Sequence, residues 1–408
     1  MASADPTTPS FPFARPLYVM AKPAGAACNL ACDYCYYLEK SDLYPSASKT
    51  EMSDELLELF IRQYIEAQTG PEAIFTWHGG EALLRPLSFY KKALRLQDFY
   101  GRAKGVSVLN TLQTNGTLLN DEWCAFFRDN GFLVGISLDG PQAYHDAFRK
   151  NRAGRSSFDR VVRGVKLLQK HGVEYNILAV VNSLNGHDPV GFYRFFKELG
   201  CRYLQFTPIV ERSDGHALAH ILRPDLPVTP QSVTPGLWGD FLIGLFDEWV
   251  RHDVGEVFVQ LFDATLANWA GEPPGLCTMG KYCGHAAVLE HNGDLYSCDH
   301  FVFPEFFLGN IRSRSITELM ESGQQRRFGR DKHDTLPRQC LECEYLFACQ
   351  GECPKNRFAR TEEGEPGLNY LCEGYFRFFR HAAPYMDWMR EALRRGEPPA
   401  GISALFRK

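Results

Sequence analysis

Three cysteines within eight residues, Cys28-x-x-x-Cys32-x-x-Cys35, put three soft thiolates on one short loop. Thiolates select iron-sulfur clusters, zinc or cuprous ion. A structural zinc site closes with four ligands, and this trio lacks the fourth. On a four-iron cluster, three thiolates leave one iron open, which a small molecule can chelate through an amino and a carboxylate group. Of the 13 cysteines, eight more lie toward the other end: Cys277, Cys283, Cys298, Cys340, Cys343, Cys349, Cys353 and Cys372. Eight thiolates suffice for two fully coordinated four-iron clusters, or for a pair of four-cysteine zinc sites. Cys124 and Cys201 have no partner in sequence and are expected to be buried fillers.

The CxxC spacings and the length of the chain point to metal in a reducing compartment rather than to a disulfide framework. The first fifteen residues, MASADPTTPSFPFAR, lack a basic stretch followed by an apolar one, so no secretory signal is read there and a cytoplasmic protein is expected. No window approaches the roughly 18 consecutive apolar residues of a membrane helix, so no membrane partner is expected. A composition of 45% hydrophobic and 23% charged residues excludes a disordered chain. A net charge of -5 gives no basic field for a phosphate backbone, which argues against nucleic acid.

The elements that must hold these cysteines can be read from apolar periodicity. Short runs rich in β-branched and aromatic residues recur at Leu17–Ala21, Ala73–Trp77, Ser107–Gln113, Phe132–Ser137, Glu174–Val181 and Arg202–Thr207. Between them, Ser53–Gln68, Asn120–Asn130, Phe158–His171 and Pro189–Leu199 space their apolar residues at three and four, as amphipathic helices do. Strands alternating with helices predict a parallel sheet with both faces covered. Six repeats fit a partial (β/α)6 TIM-type barrel, in which chemistry gathers at the carboxyl ends of the strands. The cysteine trio, Gly79-Gly80-Glu81, Thr114-Asn115-Gly116 and Leu138-Asp139-Gly140 all follow strand ends.

The chain divides accordingly. Residues 1–15 read as a flexible tail and 16–235 as the barrel, with Arg212–Pro235 a Pro- and Ser-containing linker at its end. A helical segment occupies 236–270, centred on Trp238–Arg251. From 271 to 385 the texture turns to short pieces punctuated by Gly and Cys, as expected where metal holds the chain. Residues 386–408 read as a C-terminal helical segment, the end of a helical stretch from Tyr375 to Phe406.

The first trio, with Tyr34 before its last cysteine, resembles the signature of the radical S-adenosylmethionine superfamily. The pattern Cys283-x9-Gly293-x4-Cys298, Cys340-x2-Cys343-x5-Cys349-x3-Cys353 and Cys372 resembles the SPASM domain found behind such barrels. The segments CNLACDYCYYLEK, FTWHGGEALL, LQTNGTLL and ISLDGPQAYHD are most similar to the anaerobic sulfatase-maturating enzymes, over nearly the full length. The resemblance implies an α/β fold: the partial barrel, then a small Cys-rich domain with two auxiliary clusters and a C-terminal helix. It implies three 4Fe-4S clusters and S-adenosylmethionine. Cys28, Cys32 and Cys35 would hold the first cluster; Cys277, Cys283, Cys298 and Cys353 one auxiliary cluster; and Cys340, Cys343, Cys349 and Cys372 the other.

Gly79, Gly80 and Glu81 resemble the family's glycine-rich segment that contacts the methionine amino group, with Ala82 where proline is more usual. Asn115, Ser137 and Arg149 stand where relatives contact the nucleoside and methionine parts. Asp299, directly after Cys298, occupies the position of the family's proposed base, while Tyr37 and Gln205 are candidate substrate contacts.

The implied reaction starts with a 5'-deoxyadenosyl radical and oxidises Cys or Ser in a sulfatase Cys/Ser-x-Pro/Ala-x-Arg motif to Cα-formylglycine. The implied partners are an unfolded or nascent sulfatase polypeptide and a low-potential electron donor such as flavodoxin or ferredoxin. Two alternatives stand beside it. A different SPASM enzyme would crosslink a small peptide through thioether or carbon-carbon bonds, and such enzymes often carry an N-terminal peptide-binding domain that about fifteen residues do not supply. A zinc-stabilised adaptor would bind peptides without chemistry, which leaves an incomplete three-thiolate site unexplained.

Overall fold

The computed structural model describes residues 17–37, 40, 43–44, 51–213, 223 and 225–406. The expected tail at 1–15, and residues 214–222 and 224 of the expected linker, lie outside them. In chain order the strands are β1 (Tyr18–Ala21), β2 (Leu30–Cys32), β3 (Glu72–Trp77), β4 (Ser107–Thr114), β5 (Leu133–Ser137), β6 (Arg149–Asn151), β7 (Tyr175–Val181), β8 (Tyr203–Pro208), β9 (Phe258–Val259), β10 (Ala286–Leu289), β11 (Asp294–Tyr296) and β12 (Phe307–Asn310). The helices that matter below are α1 (Asp54–Ala67), α2 (Leu87–Lys104), α3 (Asp121–Asp129), α4 (Gln142–Phe148), α5 (Phe158–His171), α6 (Pro189–Glu198), α7 (Pro235–His252) and α8 (Gln260–Ala270). The chain packs as two units.

The first unit is Met1–Ala27, Lys40–Leu112 and Cys283–Asp331. Its strands run β12-β11-β10-β1-β3-β4. β10, β1, β3 and β4 are parallel, while β11 and β12 return antiparallel. The β10–β12 segment falls where the sequence offered little periodicity. Four residues of β10 are too few to show a period, and they become a strand by pairing with β1 from Tyr18↔Ala286 to Ala21↔Leu289. Ser53 caps α1, its hydroxyl accepting from the Leu56 N–H at 3.2 Å. The helix buries Phe60 and Tyr64 against Phe75 and Trp77 of β3. Trp77 also meets Phe89 and Tyr90 of α2 edge-on, and burying rings of this size dominates a core's stability.

The second unit is Cys28–Glu39, Gln113–Tyr282 and Lys332–Lys408. Strands β5-β7-β8-β9 are parallel neighbours, with β2 and β6 forming a separate antiparallel pair. Phe192 and Phe196 of α6, Phe206 of β8 and Phe241 of α7 pack on one face of those strands. Alternation therefore turns Tyr203, Gln205 and Thr207 to the other face. A final helix, α9 (Cys372–Arg394), lies along α7, close enough that a Cβ on Gly239 would sit 2.9 Å from the Gly374 Cα. It stops at Arg394, before Gly396 at φ 73° and the Pro398-Pro399 pair, and Pro399–Phe406 forms a 3-10 turn instead of continuing it.

Candidate active site

The cysteine loop of the second unit is held by backbone pairing. β2 and β6 run antiparallel with Leu30 opposite Asn151 and Cys32 opposite Arg149, and the Cys35 N–H donates to the Cys32 carbonyl at 3.0 Å. Arg152 donates from Nε to the Cys28 carbonyl at 2.8 Å. The Cys28 sulfur accepts from the Leu30 N–H at 3.4 Å and from Asn115 Nδ2 at 3.7 Å. Asn115 is itself fixed, donating to Asn29 Oδ1 at 2.8 Å and accepting from the Thr117 hydroxyl at 2.7 Å.

None of the three thiols is in a disulfide. Burial pushes the Cys32 thiol up to about 12; Arg149 opposes this, and Cys35 and Cys28 add to it. Cys28 and Cys35 are thus near enough to Cys32 to act on it, and the Cys32 thiol sits in a setting that keeps its proton unless a soft cation displaces it. A donor set of sulfurs, with N–H groups already aimed at one of them, fits an iron-sulfur cluster.

Behind the loop lies a buried charge network. Arg149 donates from Nε to Asp139 Oδ2 at 2.8 Å. The Tyr34 hydroxyl donates to the same oxygen, and the Val180 N–H donates to Asp139 Oδ1 at 2.9 Å. Asp139 has no exposed surface, so it ties the cysteine loop, β6 and β7 together. Ser137 ends β5 and accepts from Gln113 Nε2 at 3.0 Å. Sequence reading placed Asp139 at a strand end without assigning it a role, and it passed over Gln113, for which Gly135 was the available signal: a Cβ there would stand 2.1 Å from Gln113 Oε1.

In the first unit, Gly79-Gly80-Glu81 follows β3. A Cβ on Gly80 would lie 2.1 Å from the Ala27 carbonyl oxygen, and the Glu81 N–H donates to that oxygen at 2.8 Å. The glycines thus let the segment lie directly on the backbone that enters the cysteine loop. Glu81 is buried and its carboxylate caps the following turn, accepting from the Leu83 N–H at 2.9 Å.

Asp299 is paired in the same unit with the ammonium of Lys22, whose side chain has no exposure. Burial alone would raise the Asp299 pKa; the Lys22 ammonium reverses this and holds the carboxyl well below the usual range. His78 stands beside them, driven down to about 4 by burial and by Lys22. Its Nδ1 accepts from the Gly79 N–H at 2.8 Å. Lys22 and His78 are functional candidates that sequence reading missed.

Of the later cysteines, Cys340, Cys343, Cys349 and Cys372 gather in the second unit. Burial drives Cys372 up to about 12, with Cys340 and Cys343 adding to it, and Cys349 is raised by burial and then by Cys372. The two non-glycine residues with positive φ among those described, Gln350 at 50° and Glu352 at 54°, both sit between Cys349 and Cys353, so this turn is bent into a conformation side chains resist. Cys277 shares this unit, and Lys332 donates to the Cys277 and Thr278 carbonyls at 2.6 and 2.8 Å. Cys283 and Cys298 belong to the first unit and Cys353 to the second. Among the described residues, no group of three or more His, Cys, Asp or Glu is drawn tightly enough to hold a metal ion. Tyr37 is buried, its ring edge-on to Tyr36. Gln205 is half-buried in mid-β8. Cys124 and Cys201 are buried.

Comparison with known proteins places this geometry. Residues 23–196 match the radical SAM superfamily, and 277–344 match SPASM, an iron-sulfur cluster-binding domain. A serine-type anaerobic sulfatase-maturating enzyme of Bacteroides thetaiotaomicron is 60% identical over 96% of this chain and 95% of its own length. The chain belongs to the anaerobic sulfatase-maturating enzymes.

A cysteine-type member from Clostridium perfringens is 33% identical over 90% of the chain and 97% of its own. A solved structure of native anSMEcpe, with bound AdoMet and the Cp18Cys peptide, superposes with a TM-score of 0.81 at 31% identity, covering 92% of this chain and 99% of that one. Streptococcus suis SuiB, at 13% identity and a TM-score of 0.56, shares the fold alone. This sulfatase-maturating enzyme is therefore an α/β radical SAM enzyme with a SPASM domain, whose two matched domains call for iron-sulfur clusters and S-adenosylmethionine. No helix among the described residues is long and apolar enough to cross a membrane.

Proposed function

We propose that this enzyme oxidises a Ser or Cys in a sulfatase Cys/Ser-x-Pro/Ala-x-Arg motif to Cα-formylglycine. What supports the reading most is its 60% identity, over nearly the full length of both chains, to a serine-type maturating enzyme. That same relationship makes serine the expected substrate residue. Three 4Fe-4S clusters are assigned: one on Cys28, Cys32 and Cys35, one on Cys277, Cys283, Cys298 and Cys353, and one on Cys340, Cys343, Cys349 and Cys372. The domains follow, with the barrel at 16–235, the helical connection at 236–270 and the auxiliary-cluster domain at 271–385. The substrate is an unfolded or nascent sulfatase in the cytoplasm, and the reductant a flavodoxin or ferredoxin.

Bound clusters and S-adenosylmethionine supply what side chains lack, namely removal of a hydrogen atom from Cβ and acceptance of a second electron. The chain's own residues do the rest. Asn115 and the Leu30 N–H orient Cys28 through bonds to its sulfur. Arg149, held by Asp139, offers its remaining guanidinium N–H groups to the methionine carboxylate. Gly79 and Gly80 admit the cofactor's amino group to backbone, and Ser137 meets the nucleoside. Asp299, kept ionised by Lys22, accepts the proton of the substrate hydroxyl or thiol. Tyr37 and Gln205 line the substrate path.

The reading is tested by incubating the reconstituted, reduced protein with S-adenosylmethionine and paired Ser-x-Pro-x-Arg and Cys-x-Pro-x-Arg peptides. An aldehyde by mass, formed faster from the serine peptide, is expected. A crosslinked or unchanged peptide overturns it.

A further inference from the structure

The second unit contains a cavity of about 320 Å³ at the amino-terminal ends of β7 and β8, where α8 begins. Its polar lining is Asn176, Gln205, Gln260 and Asp263, and its aromatic wall is Tyr203 and Phe258. The two rings stack at 5.1 Å with 12° between their planes. Both rings are open to solvent, Tyr203 at 45% and Phe258 at 38% exposure.

Among the described residues, none gives any of the four polar side chains a hydrogen bond or ion pair, and no basic residue lines the cavity. Asp263 faces open space, yet enough protein surrounds it that desolvation pushes its carboxyl up to about 6. A carboxylate without a counter-ion, beside exposed ring faces and three uncommitted amides, is a setting for an organic cation. One carboxylate is too few for a hard metal ion. A planar guanidinium satisfies carboxylate, amide oxygens and ring face together, as an ammonium does less well.

Strand register relates the cavity to the rest of the unit. Ser137, Leu178 and Gln205 lie side by side across β5, β7 and β8. Asn176 and Tyr203 stand two residues earlier on their strands, about 7 Å below that layer, and Gln205 belongs to both levels.

We propose that this cavity receives the guanidinium of the substrate polypeptide's arginine, with Asp263 as counter-ion and Tyr203 and Phe258 as its aromatic wall. The proposal rests on the reading of the chain as a peptide-oxidising enzyme and deepens it by assigning the recognition of the motif's basic residue. A neutral isostere tests it from both sides. A serine peptide with arginine and the same peptide with citrulline are compared on the reconstituted wild-type enzyme and on Asp263→Asn, an isosteric change at an exposed helical position.

In the wild type, citrulline is expected to raise KM about tenfold with kcat little changed. Asp263→Asn should raise KM for the arginine peptide by a similar factor and leave the citrulline peptide unaffected, since each change removes the same pair. Equal penalties for both peptides in the variant, or wild-type indifference to citrulline, overturn the assignment. Equilibrium binding of the labelled peptides to the same proteins is read separately from aldehyde formation. Absence of aldehyde from every peptide therefore counts against the proposed reaction, while the arginine-against-citrulline difference in binding still decides the pocket.

Discussion

The ammonium of Lys22, at the carboxyl end of β1, is buried against the carboxylate of Asp299, which follows Cys298. The pair fixes the protonation state of the proposed base. Asp299→Asn keeps the shape and removes the proton acceptor, so aldehyde formation should fall about 10²-fold or more. Iron content and binding of S-adenosylmethionine should be unchanged. Aldehyde yield by mass, against iron analysis and cofactor binding, checks this; full activity in the variant removes Asp299 from the mechanism.

Lys22 carries a separate expectation. Lys22→Met removes the buried counter-charge of a carboxylate that is only 15% exposed, and breaking an enclosed pair of this kind costs up to about 3–5 kcal/mol. The double variant Lys22→Met/Asp299→Asn removes both charges and should recover most of that stability. Denaturant midpoints of the four proteins measure the coupling, and additive losses would show that the two side chains do not sense each other.

How much of this was legible follows from what each residue depends on. Strands β1, β3, β4, β5, β7 and β8 fall within a residue or two of their apolar runs, but the expected burial of both sheet faces does not hold: β4, β7 and β8 bury alternate side chains and leave the others half-buried or exposed. α1 is bounded by Ser53 and Gln68 as its cap and spacing predict. The cysteine trio stands out in the sequence because three thiolates in eight residues have few other uses. Lys22 does not, since lysine is ordinarily exposed and only the return of the chain near residue 299 makes it a buried counter-ion. The same holds for Asp139, whose three partners come from Tyr34, Arg149 and Val180. The Asp263 cavity left no sequence trace, because its lining comes from four separate segments.

Gly80 should tolerate no side chain. A methyl there meets the Ala27 carbonyl at 2.1 Å and that of Ala26 at 2.6 Å, both backbone atoms that cannot rotate away. Gly80→Ala should therefore destabilise the protein by about 1–3 kcal/mol and displace the segment entering Cys28, lowering cleavage of S-adenosylmethionine. Gly70→Ala, with nothing within 4 Å, is the control expected to be silent. Equal behaviour of the two variants would show that the close approach is relieved at no cost.

His145 gives a pH dependence of definite sign. Its Nδ1 accepts from the Asp139 N–H at 3.3 Å, and Nε2 pairs with the Ser157 hydroxyl at 2.9 Å, which itself donates to the Arg149 carbonyl. This arrangement suits the neutral ring. Burial drives its pKa from 6.5 down to about 4; Asp139 and Asp146 oppose this and Arg149 reinforces it. Between those values the unfolded chain binds a proton that the folded one does not. Stability is complete above about pH 6.5 and falls as pH drops toward 4, by roughly 3 kcal/mol in total. Denaturation midpoints across that range should flatten in His145→Asn relative to the wild type. Parallel curves would mean that the ring is not the group responsible.

The cysteine trio allows the sharpest test of the proposed division between one cluster on the N-terminal loop and two auxiliary clusters. Cys32 is buried opposite Arg149, on a loop closed by β2 and β6, whereas Cys340, Cys343, Cys349 and Cys372 are bound up with the turns before α9 and its first residue. On the proposed assignment, Cys32→Ala removes one of three ligands, and a four-iron cluster left with two thiolates would not be retained. Iron should fall from about twelve to about eight per chain, and conversion of S-adenosylmethionine to deoxyadenosine should cease while the remaining iron keeps its absorbance. Cys372→Ala should also lose about four irons but retain cofactor cleavage when reductant is supplied. Iron and sulfide analysis with deoxyadenosine assays on both variants decides the matter. If Cys32→Ala kept full iron and cleaved S-adenosylmethionine, the radical chemistry would have to start elsewhere in the chain.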